Sequence, residues 1–139
     1  MSLLITFEGP EGSGKTGLID RIKDSLTLFG YEVVCSREPG GTPVGEYIRG
    51  ILQHDTAEEA PCPTAELLLY EASRAQQVEK VFRPALNRGV IVLSDRFYDS
   101  TTAYQGYGRG MSVEAIENLN LLAVGECIPA MTVLLDIDP

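Results

Sequence analysis

The sequence is poor in the residue types that usually build metal centres and disulfide frameworks. It has no tryptophan, one histidine, His54, and three cysteines: Cys35, Cys62 and Cys127. Because the cysteines are odd in number and widely spaced, we predict free thiols rather than disulfides or a metal site. The single histidine has no partner nearby in the sequence, so we expect it to be solvated rather than catalytic.

Positive charge is also scarce. The chain has 11 Lys and Arg residues against 20 Asp and Glu residues, which gives a formal net charge of -9. A general nucleic-acid-binding surface would need a basic face, so we predict no nucleic-acid partner. A small anionic ligand is still compatible, because positive charge can gather in one pocket of an acidic protein. Six basic residues fall in or beside motif-like stretches: Lys15, Arg37, Arg49, Arg74, Arg96 and Arg109.

Long apolar runs are absent as well. No stretch approaches the length of a membrane span, and the N-terminus has no signal-peptide pattern, so we predict a cytoplasmic protein with no membrane partner. Hydrophobic residues make up 44% of the 139 residues and charged residues 22%. These values are typical of a soluble globular protein, and the length predicts one domain over residues 1–139.

The most informative stretch fits the phosphate-loop template G-x-x-x-x-G-K-S/T at every fixed position. Its members are Gly9, Pro10, Glu11, Gly12, Ser13, Gly14, Lys15 and Thr16. Residues 3–7 are typical of a buried strand and residues 17–29 of a helix, which is the order that the motif requires. In that geometry the loop N–H groups bind a polyphosphate, Lys15 pairs with the outer phosphates and Thr16 ligates Mg²⁺. The alternative is a glycine-rich turn with an exposed lysine, which the flanking pattern disfavours.

The remaining pattern predicts an α/β fold. Leu18, Ile22 and Leu26 form an apolar stripe on the first helix, which Gly30 ends. The strand–helix–strand order at the start of the chain predicts parallel pairing with a right-handed crossover. Further strands are predicted at 31–36, 90–94 and 131–137, and further helices at 44–52, at 64–87 with a cap at Thr64, and after a cap at Ser112 with Ile116, Leu119 and Ala123 on one face.

Candidate ligand contacts follow the predicted strands and one helix. Asp95 and Arg96 come directly after a strand, where a carboxylate can hold the Mg²⁺ shell. Tyr70 and Arg74 are four residues apart and share a helix face, so they can meet one ligand. On spacing alone, the favoured interpretation is a core tyrosine beside a surface ion-pair arginine. Residues 100–110 are rich in hydroxyl, amide and glycine, which suits a polar planar ligand, although alone they indicate a helix end and a loop.

Together these stretches resemble the bacterial-type thymidylate kinases along the whole chain. The phosphate loop is generic, but Arg-Glu-Pro-Gly-Gly-Thr at 37–42 and Ala-Tyr-Gln-Gly at 103–106 are specific to that family. Phe-Glu-Gly at 7–9, Ala-Ser-Arg at 72–74, Asp-Arg at 95–96 and Leu-Leu-Asp at 134–136 also match. The resemblance implies a three-layer P-loop nucleoside monophosphate kinase fold. It further implies transfer of the γ-phosphoryl group of ATP to dTMP, giving dTDP, with Mg²⁺ as the cofactor. It also implies that the protein is a homodimer.

The resemblance also implies residue roles. Lys15 and Thr16 would serve ATP and Mg²⁺, and Glu11 resembles the loop carboxylate that faces the sugar 3′-hydroxyl. Arg49 and Arg96 resemble the clamps on the acceptor phosphate. Tyr70 stands where the family stacks an aromatic ring on thymine. The residues that resemble base contacts are Arg74, Thr101 and Gln105. The group expected to act in catalysis is Lys15, Arg96 and Glu11.

Two features depart from the family pattern. Gly17 stands where the family usually has Ser or Thr, which would loosen a contact to the α-phosphate. The sequence also ends just after its fourth strand, whereas the resemblance predicts a fifth strand, further helices and a lid that supplies a catalytic arginine. We therefore expect a C-terminally incomplete kinase domain. The alternatives are a catalytically impaired nucleotide-binding fragment and a kinase for another nucleoside monophosphate.

Overall fold

The fold is built on a parallel sheet, as the sequence predicts. The computed structural model describes residues 2–53 and 59–137, so His54 lies outside the described residues. The strands are β1 (Leu3–Glu8), β2 (Val33–Arg37), β3 (Ile91–Asp95) and β4 (Met131–Leu134), in the spatial order β2-β3-β1-β4. All three pairings are parallel. The strand β4 is shorter than the predicted 131–137.

The central strands place their carboxyl ends side by side. Asp95 at the end of β3 is in register with Phe7 of β1 and Arg37 of β2. The backbone beyond the strands continues this contact, because Arg96 N donates to Phe7 O at 2.9 Å and Glu38 N donates to Asp95 O at 2.9 Å. Open α/β sheets bind ligands at this edge.

Helices cover both faces of the sheet. Their bounds are α1 (Lys15–Leu28), α2 (Pro43–Leu52), α3 (Pro63–Gln77), α4 (Arg83–Asn87), α5 (Tyr98–Thr101) and α6 (Val113–Val124). On one face Ile19 of α1 packs with Phe7 and Leu93. On the other face Val92 packs with Phe82 and Phe97. This alternation of core side chains along the strands produces three layers.

The helix predicted over 64–87 has the expected extent but a different start and interior. Thr64 does not cap it: the helix starts at Pro63 after Cys62, and no side chain caps it. Proline suits a first helical position because its missing N–H would have no partner there. A π-helical turn, Val78–Phe82, separates α3 from α4, and Pro84 occupies the first turn of α4. A proline cannot donate within a helix, so the local bonding pattern changes just before it.

The last helix buries a different stripe from the predicted one. Ser112 caps α6 by accepting from Ala115 N at 3.3 Å, which confirms that prediction. The fully buried residues are Ile116, Asn120 and Val124, while the predicted Leu119 and Ala123 lie half-buried beside them. The buried face of α6 includes Asn120 because this side chain makes hydrogen bonds inside the protein, as described below.

The other expectations have mixed outcomes. Residues 102–108 form a π-helical segment after α5 rather than a helix end and a loop. The three cysteines are free thiols, as predicted. Within the described parts of the chain, no helix has the length and apolar character needed to cross a membrane.

Candidate functional site

The phosphate-loop sequence connects β1 to α1. Gly9 has φ 141°, and a Cβ atom there would lie 2.6 Å from the carbonyl oxygen of Leu135, so only glycine fits. Gly14 precedes α1 in the left-handed conformation, with φ 88°. The Lys15 ammonium group donates to Gly9 O at 2.9 Å, to Pro10 O at 2.8 Å and to Ser13 Oγ at 3.4 Å. These bonds hold the buried cation against the loop, at the positive end of the α1 dipole.

A cleft of about 1290 Å³ opens at the carboxyl edge of the sheet. The loop lines one part of it, and α2, α3 and the segment after β3 line the rest. Twelve of the residues that the sequence suggests for ligand binding border this cleft: Glu11, Gly12, Gly14, Lys15, Thr16, Arg49, Tyr70, Arg74, Asp95, Arg96, Thr101 and Gln105. Gly9, Pro10 and Ser13 instead hold Lys15 in place.

Two oxygen ligands suited to a hard cation meet at the base of the cleft. Thr16 Oγ1 donates to Asp95 Oδ2 at 3.0 Å. Within residues 2–53 and 59–137, no group of three His, Cys, Asp or Glu side chains could hold a metal alone. Mg²⁺ commonly binds one or two protein oxygens and completes its shell with phosphates and water, so Thr16 and Asp95 fit it.

Two arginines add positive charge to the cleft. Arg49 donates to Pro39 O at 3.0 Å. The Arg96 guanidinium donates to Ser100 Oγ at 3.1 Å and lies 5.5 Å from the centroid of the Tyr104 ring. Arg96 also has φ 70°, and it is the one non-glycine residue with positive φ among those described. Such strain persists only where surrounding contacts enforce it, and it is common at functional sites.

A buried carboxylate that sequence reasoning did not single out enforces the Arg96 turn. Glu8 Oε1 accepts from Phe97 N at 2.8 Å, and Glu8 Oε2 accepts from Ser100 Oγ at 2.5 Å. Ser100 in turn accepts from Arg96, so Glu8 acts on that guanidinium through one hydroxyl. Burial raises the pKa of Glu8. The sequence feature that could have identified Glu8 as a site residue is its position at the end of a buried strand.

Arg74 lies inside the protein rather than in a surface ion pair, with only 1% of its surface exposed. Its Nε donates to Glu38 Oε2 at 2.9 Å, and its terminal nitrogens donate to Glu71 at 2.7 Å and Thr101 at 2.8 Å. Asn120 Oδ1 accepts another hydrogen bond at 2.9 Å. All three guanidinium nitrogens thus have protein partners. Arg74 borders the cleft, and its contact with a base stays a prediction.

This cluster holds two carboxylates and one guanidinium. Burial raises the pKa of Glu38 to about 7 despite its contact with Arg74, and burial also raises the pKa of Glu71. Glu38 Oε1 and Glu71 Oε2 are buried with no hydrogen-bond partner among the described residues. With both carboxylates ionised, the buried cluster would carry one more negative than positive charge, and one oxygen of each carboxylate would lack a hydrogen-bond partner. The buried carboxylates therefore tend to bind a proton. No local pattern in the sequence pairs Glu38 with Arg74, because the two residues are far apart along the chain.

The Tyr70 end of the cleft contains a second charged cluster. Tyr70 is half-buried, and burial followed by the Glu66 charge raises its pKa. Gln105 Nε2 donates to Glu66 Oε1 at 2.7 Å. Arg109 forms two hydrogen bonds to Glu66, from Nε at 3.0 Å and from an NH2 group at 2.7 Å. Glu66 is not among the predicted site residues, although its place four residues before Tyr70 puts it on the same helix face.

Several side chains hold the loop at 37–42: Arg49 donates to Pro39 O, Ser73 accepts from Gly40 N and Glu46 accepts from Gly41 N. Gln77 Nε2 donates to Ser36 Oγ at 2.6 Å, to Arg37 O at 2.9 Å and to Gly40 O at 3.2 Å. The Arg37 side chain is exposed and pairs with Glu46 at 2.9 Å. This loop therefore shapes the cleft wall mainly through its backbone and Glu38.

The parallel sheet, the loop between β1 and α1, and the lysine and threonine at the start of α1 define a P-loop nucleotide-binding protein. Comparison with known proteins narrows the class further. The family model described as thymidylate kinase matches residues 7–139. The chain belongs to the thymidylate kinase family.

Individual relatives agree with this assignment. The chain is 53% identical to the thymidylate kinase of Geobacter sp. (strain M21) over 98% of its own length and 60% of that protein. It is 45% identical to the thymidylate kinase of Bacillus licheniformis, over 99% of its length and 64% of that protein. The crystal structure of thymidylate kinase from Ehrlichia chaffeensis matches with a TM-score of 0.90 at 41% identity, covering 99% of this chain and 77% of the other. The chain thus spans under two thirds of these two curated relatives.

Proposed function

We propose that this chain carries the phosphate loop and acceptor pocket of an enzyme that transfers the γ-phosphoryl group of ATP to dTMP, giving dTDP. One observation carries the proposal. A single cleft brings the phosphate loop together with the guanidinium groups of Arg49 and Arg96. The same cleft is also lined by the Tyr70 ring and the Gln105 amide. Phosphoryl transfer depends on such positioning and on charge neutralisation more than on covalent chemistry by the protein.

The donor side would use the loop. Its backbone N–H groups and Lys15 would bind the outer phosphates of ATP, and Thr16 and Asp95 would hold Mg²⁺. Bound there, Mg²⁺ would neutralise charge on the phosphates. An oxygen of the dTMP phosphate forms the new bond to the γ-phosphorus, and the bond from that phosphorus to the β,γ-bridging oxygen breaks, leaving ADP.

The acceptor side would use the opposite wall. Arg49 and Arg96 would hold the dTMP phosphate, since planar guanidinium groups bind phosphate in a fixed orientation. Glu11 would face the sugar 3′-hydroxyl. Tyr70 would stack on the base, while Arg74, Thr101 and Gln105 would surround its polar edge. Since Arg74 and Thr101 already bond to each other, we assign the most direct base contact to Gln105.

We also propose, from the family resemblance, a homodimer in the cytoplasm. The net charge of -9 is compatible with nucleotide ligands gathered in one basic cleft and does not favour nucleic acid. Sedimentation equilibrium would test the dimer.

Calorimetry with four nucleotides tests the assignment. The chain should bind dTMP more tightly than dCMP or dGMP, because a wrong base leaves buried polar groups unpaired. It should also bind dTMP more tightly than dUMP, which lacks the 5-methyl group and so buries less apolar surface. Lys15→Ala should weaken ATP and spare dTMP, whereas Arg49→Ala should do the reverse. Arg88→Ala, at an exposed site outside the cleft, is the matched control. Equal affinity for dTMP and dGMP would remove the thymidylate assignment.

A further inference from the structure

A carboxylate fixes the orientation of an amide at the base end of the cleft. Gln105 is only 5% exposed, and its Nε2 donates to Glu66 Oε1 at 2.7 Å. An ionised carboxylate accepts hydrogen bonds and donates none. Only the NH₂ group of Gln105 can therefore face Glu66, and its Oε1 must face another direction.

Arg109 fixes the carboxylate in turn. Arg109 donates to both Glu66 oxygens, from Nε to Oε1 and from Nη2 to Oε2. This two-point contact sets the plane of the Glu66 carboxylate. The Glu66 side chain is 14% exposed, while Arg109 is 49% exposed. In such a sheltered position, turning the amide over would place two acceptors against each other, which is costly.

The cluster lies where a base would lie. Glu66, Tyr70 and Arg74 follow one another at intervals of four residues along α3, and all three border the cleft together with Gln105. Residues at that spacing share one helix face. A planar ring stacked on Tyr70 would therefore meet the amide edge that Glu66 leaves available. Gln105 Oε1 has no hydrogen-bond partner within the described parts of the chain.

We propose that Glu66, braced by Arg109, is a specificity-determining residue: it orients Gln105 so that Oε1 accepts a hydrogen bond from the ring N3–H of the nucleotide base. Thymine and uracil carry hydrogen on N3, whereas neutral cytosine has a lone pair there. The fixed amide thus favours the first two bases and disfavours cytosine. This inference rests on the proposed function, because it takes the base to occupy the Tyr70 end of the cleft.

The test compares ratios of affinity rather than single affinities. Glu66→Gln keeps the size of the side chain but lets it offer either an oxygen or an NH₂ group to Gln105, so the amide can turn over. The ratio of dTMP to dCMP affinity should fall about tenfold, the equivalent of one hydrogen bond. The ratio of dTMP to dUMP affinity should not change, since both bases carry N3–H. ATP affinity should also stay constant.

Two further variants separate this role from a general effect on folding. Glu79→Gln removes a carboxylate from an exposed pair with Arg83 outside the cleft and should leave both ratios unchanged. Arg109→Gln, at a half-exposed site, should lower the dTMP to dCMP ratio less than Glu66→Gln does. If Glu66→Gln does not fold by circular dichroism, Arg109→Gln carries the test, and an unchanged ratio in it overturns the proposal.

The outcomes also distinguish the two proposals. A wild-type chain with no preference for dTMP would reject the proposed function itself. A wild-type chain that prefers dTMP, together with a Glu66→Gln variant that keeps the full dTMP to dCMP ratio, would overturn the role of Glu66 and leave the function standing. An equal fall in the dTMP to dUMP ratio would also overturn it, because that change reports a general loss of pocket shape.

Discussion

Thr16 Oγ1 donates a hydrogen bond to Asp95 Oδ2 at 3.0 Å, although the two residues are 79 positions apart in the sequence. The sheet order explains the contact. β1 lies beside β3, so the loop that follows β1 and the residue that ends β3 meet at the same edge. A hydroxyl from a helix start and a carboxylate from a strand end are thereby placed as neighbours without any local sequence signal.

The first prediction concerns this pair. Asp95→Asn should shift the increase in ATP affinity that Mg²⁺ produces to higher Mg²⁺ concentrations, because an amide is a weaker ligand for Mg²⁺ than a carboxylate. We expect at least a tenfold rise, about 1.4 kcal/mol, in the Mg²⁺ concentration needed for half of the effect. Calorimetric ATP titrations at several Mg²⁺ concentrations provide the measurement. Asp24→Asn on the exposed side of α1 is the control, and identical Mg²⁺ dependence in the two variants would refute the site.

The second prediction concerns the buried arginine. Arg74→Ala leaves Glu38 and Glu71 without their cation inside the protein, so the free energy of unfolding should fall by about 3–5 kcal/mol. Urea denaturation measures the change. Arg88→Ala, whose 4.0 Å contact with Glu32 is exposed, should cost about 0.5 kcal/mol or less. Equal losses in both variants would show that the Arg74 cluster contributes no more than a surface pair.

Sequence reasoning recovered the parts of the site that local pattern encodes. The phosphate loop, the parallel sheet and the strand-end position of Asp95 all follow from spacing and from the rule that parallel strands end at one edge. The predicted cap of α3, Thr64, lies two residues after the observed cap position, Cys62. Threonine is a common cap residue, but Pro63 suits the first helical position and so moves the start of the helix forward.

Pairings between distant residues were not predictable in this way. Arg74 bonds to Glu38 from a different loop and to Asn120 from α6, and no periodicity connects those positions. The buried face of α6 differs from the predicted stripe for the same reason, because Asn120 is not among the residues that the apolar pattern places inside. A polar residue belongs in the core once it has a buried partner, which only the folded structure reveals.

The third prediction is a pH dependence of stability. The pKa of Glu38 is raised from 4.5 to about 7, mainly by burial, so between those values the folded state holds a proton that the unfolded state releases. Stability should therefore fall as pH rises through this window and level off above it. Burial also raises the pKa of Glu8 and of Glu71, which adds the same sign.

Urea midpoints at about pH 5.5 and about pH 8 measure this dependence. The midpoint should be lower at the higher pH, and Glu38→Gln should remove the larger part of the difference. Glu46→Gln is the matched control. A hydrogen bond from Gly41 lowers the pKa of Glu46, so its contribution is lost only as pH falls below the ordinary glutamate range. A Glu38→Gln variant with the full wild-type difference would contradict the prediction.

The last prediction concerns Glu8, which we expect to position Arg96 for the acceptor phosphate. Its carboxylate accepts from Phe97 N and from Ser100 Oγ, and Ser100 accepts from Arg96. In Glu8→Gln one of the two carboxylate oxygens becomes an NH₂ group that cannot accept, so either Phe97 N loses its acceptor or Ser100 Oγ has to accept from the amide instead of donating to it. The guanidinium should then be held less firmly.

Comparing dTMP with thymidine isolates this effect, because the two differ only in the phosphate. Glu8→Gln should weaken dTMP about tenfold, near the 1.4 kcal/mol of one lost hydrogen bond, and leave thymidine and ATP unchanged. Glu32→Gln, at an exposed position, should change none of the three affinities. Parallel losses of dTMP and thymidine in Glu8→Gln would mean that Glu8 supports the whole pocket, and the specific connection to the Arg96 guanidinium would then have to be abandoned.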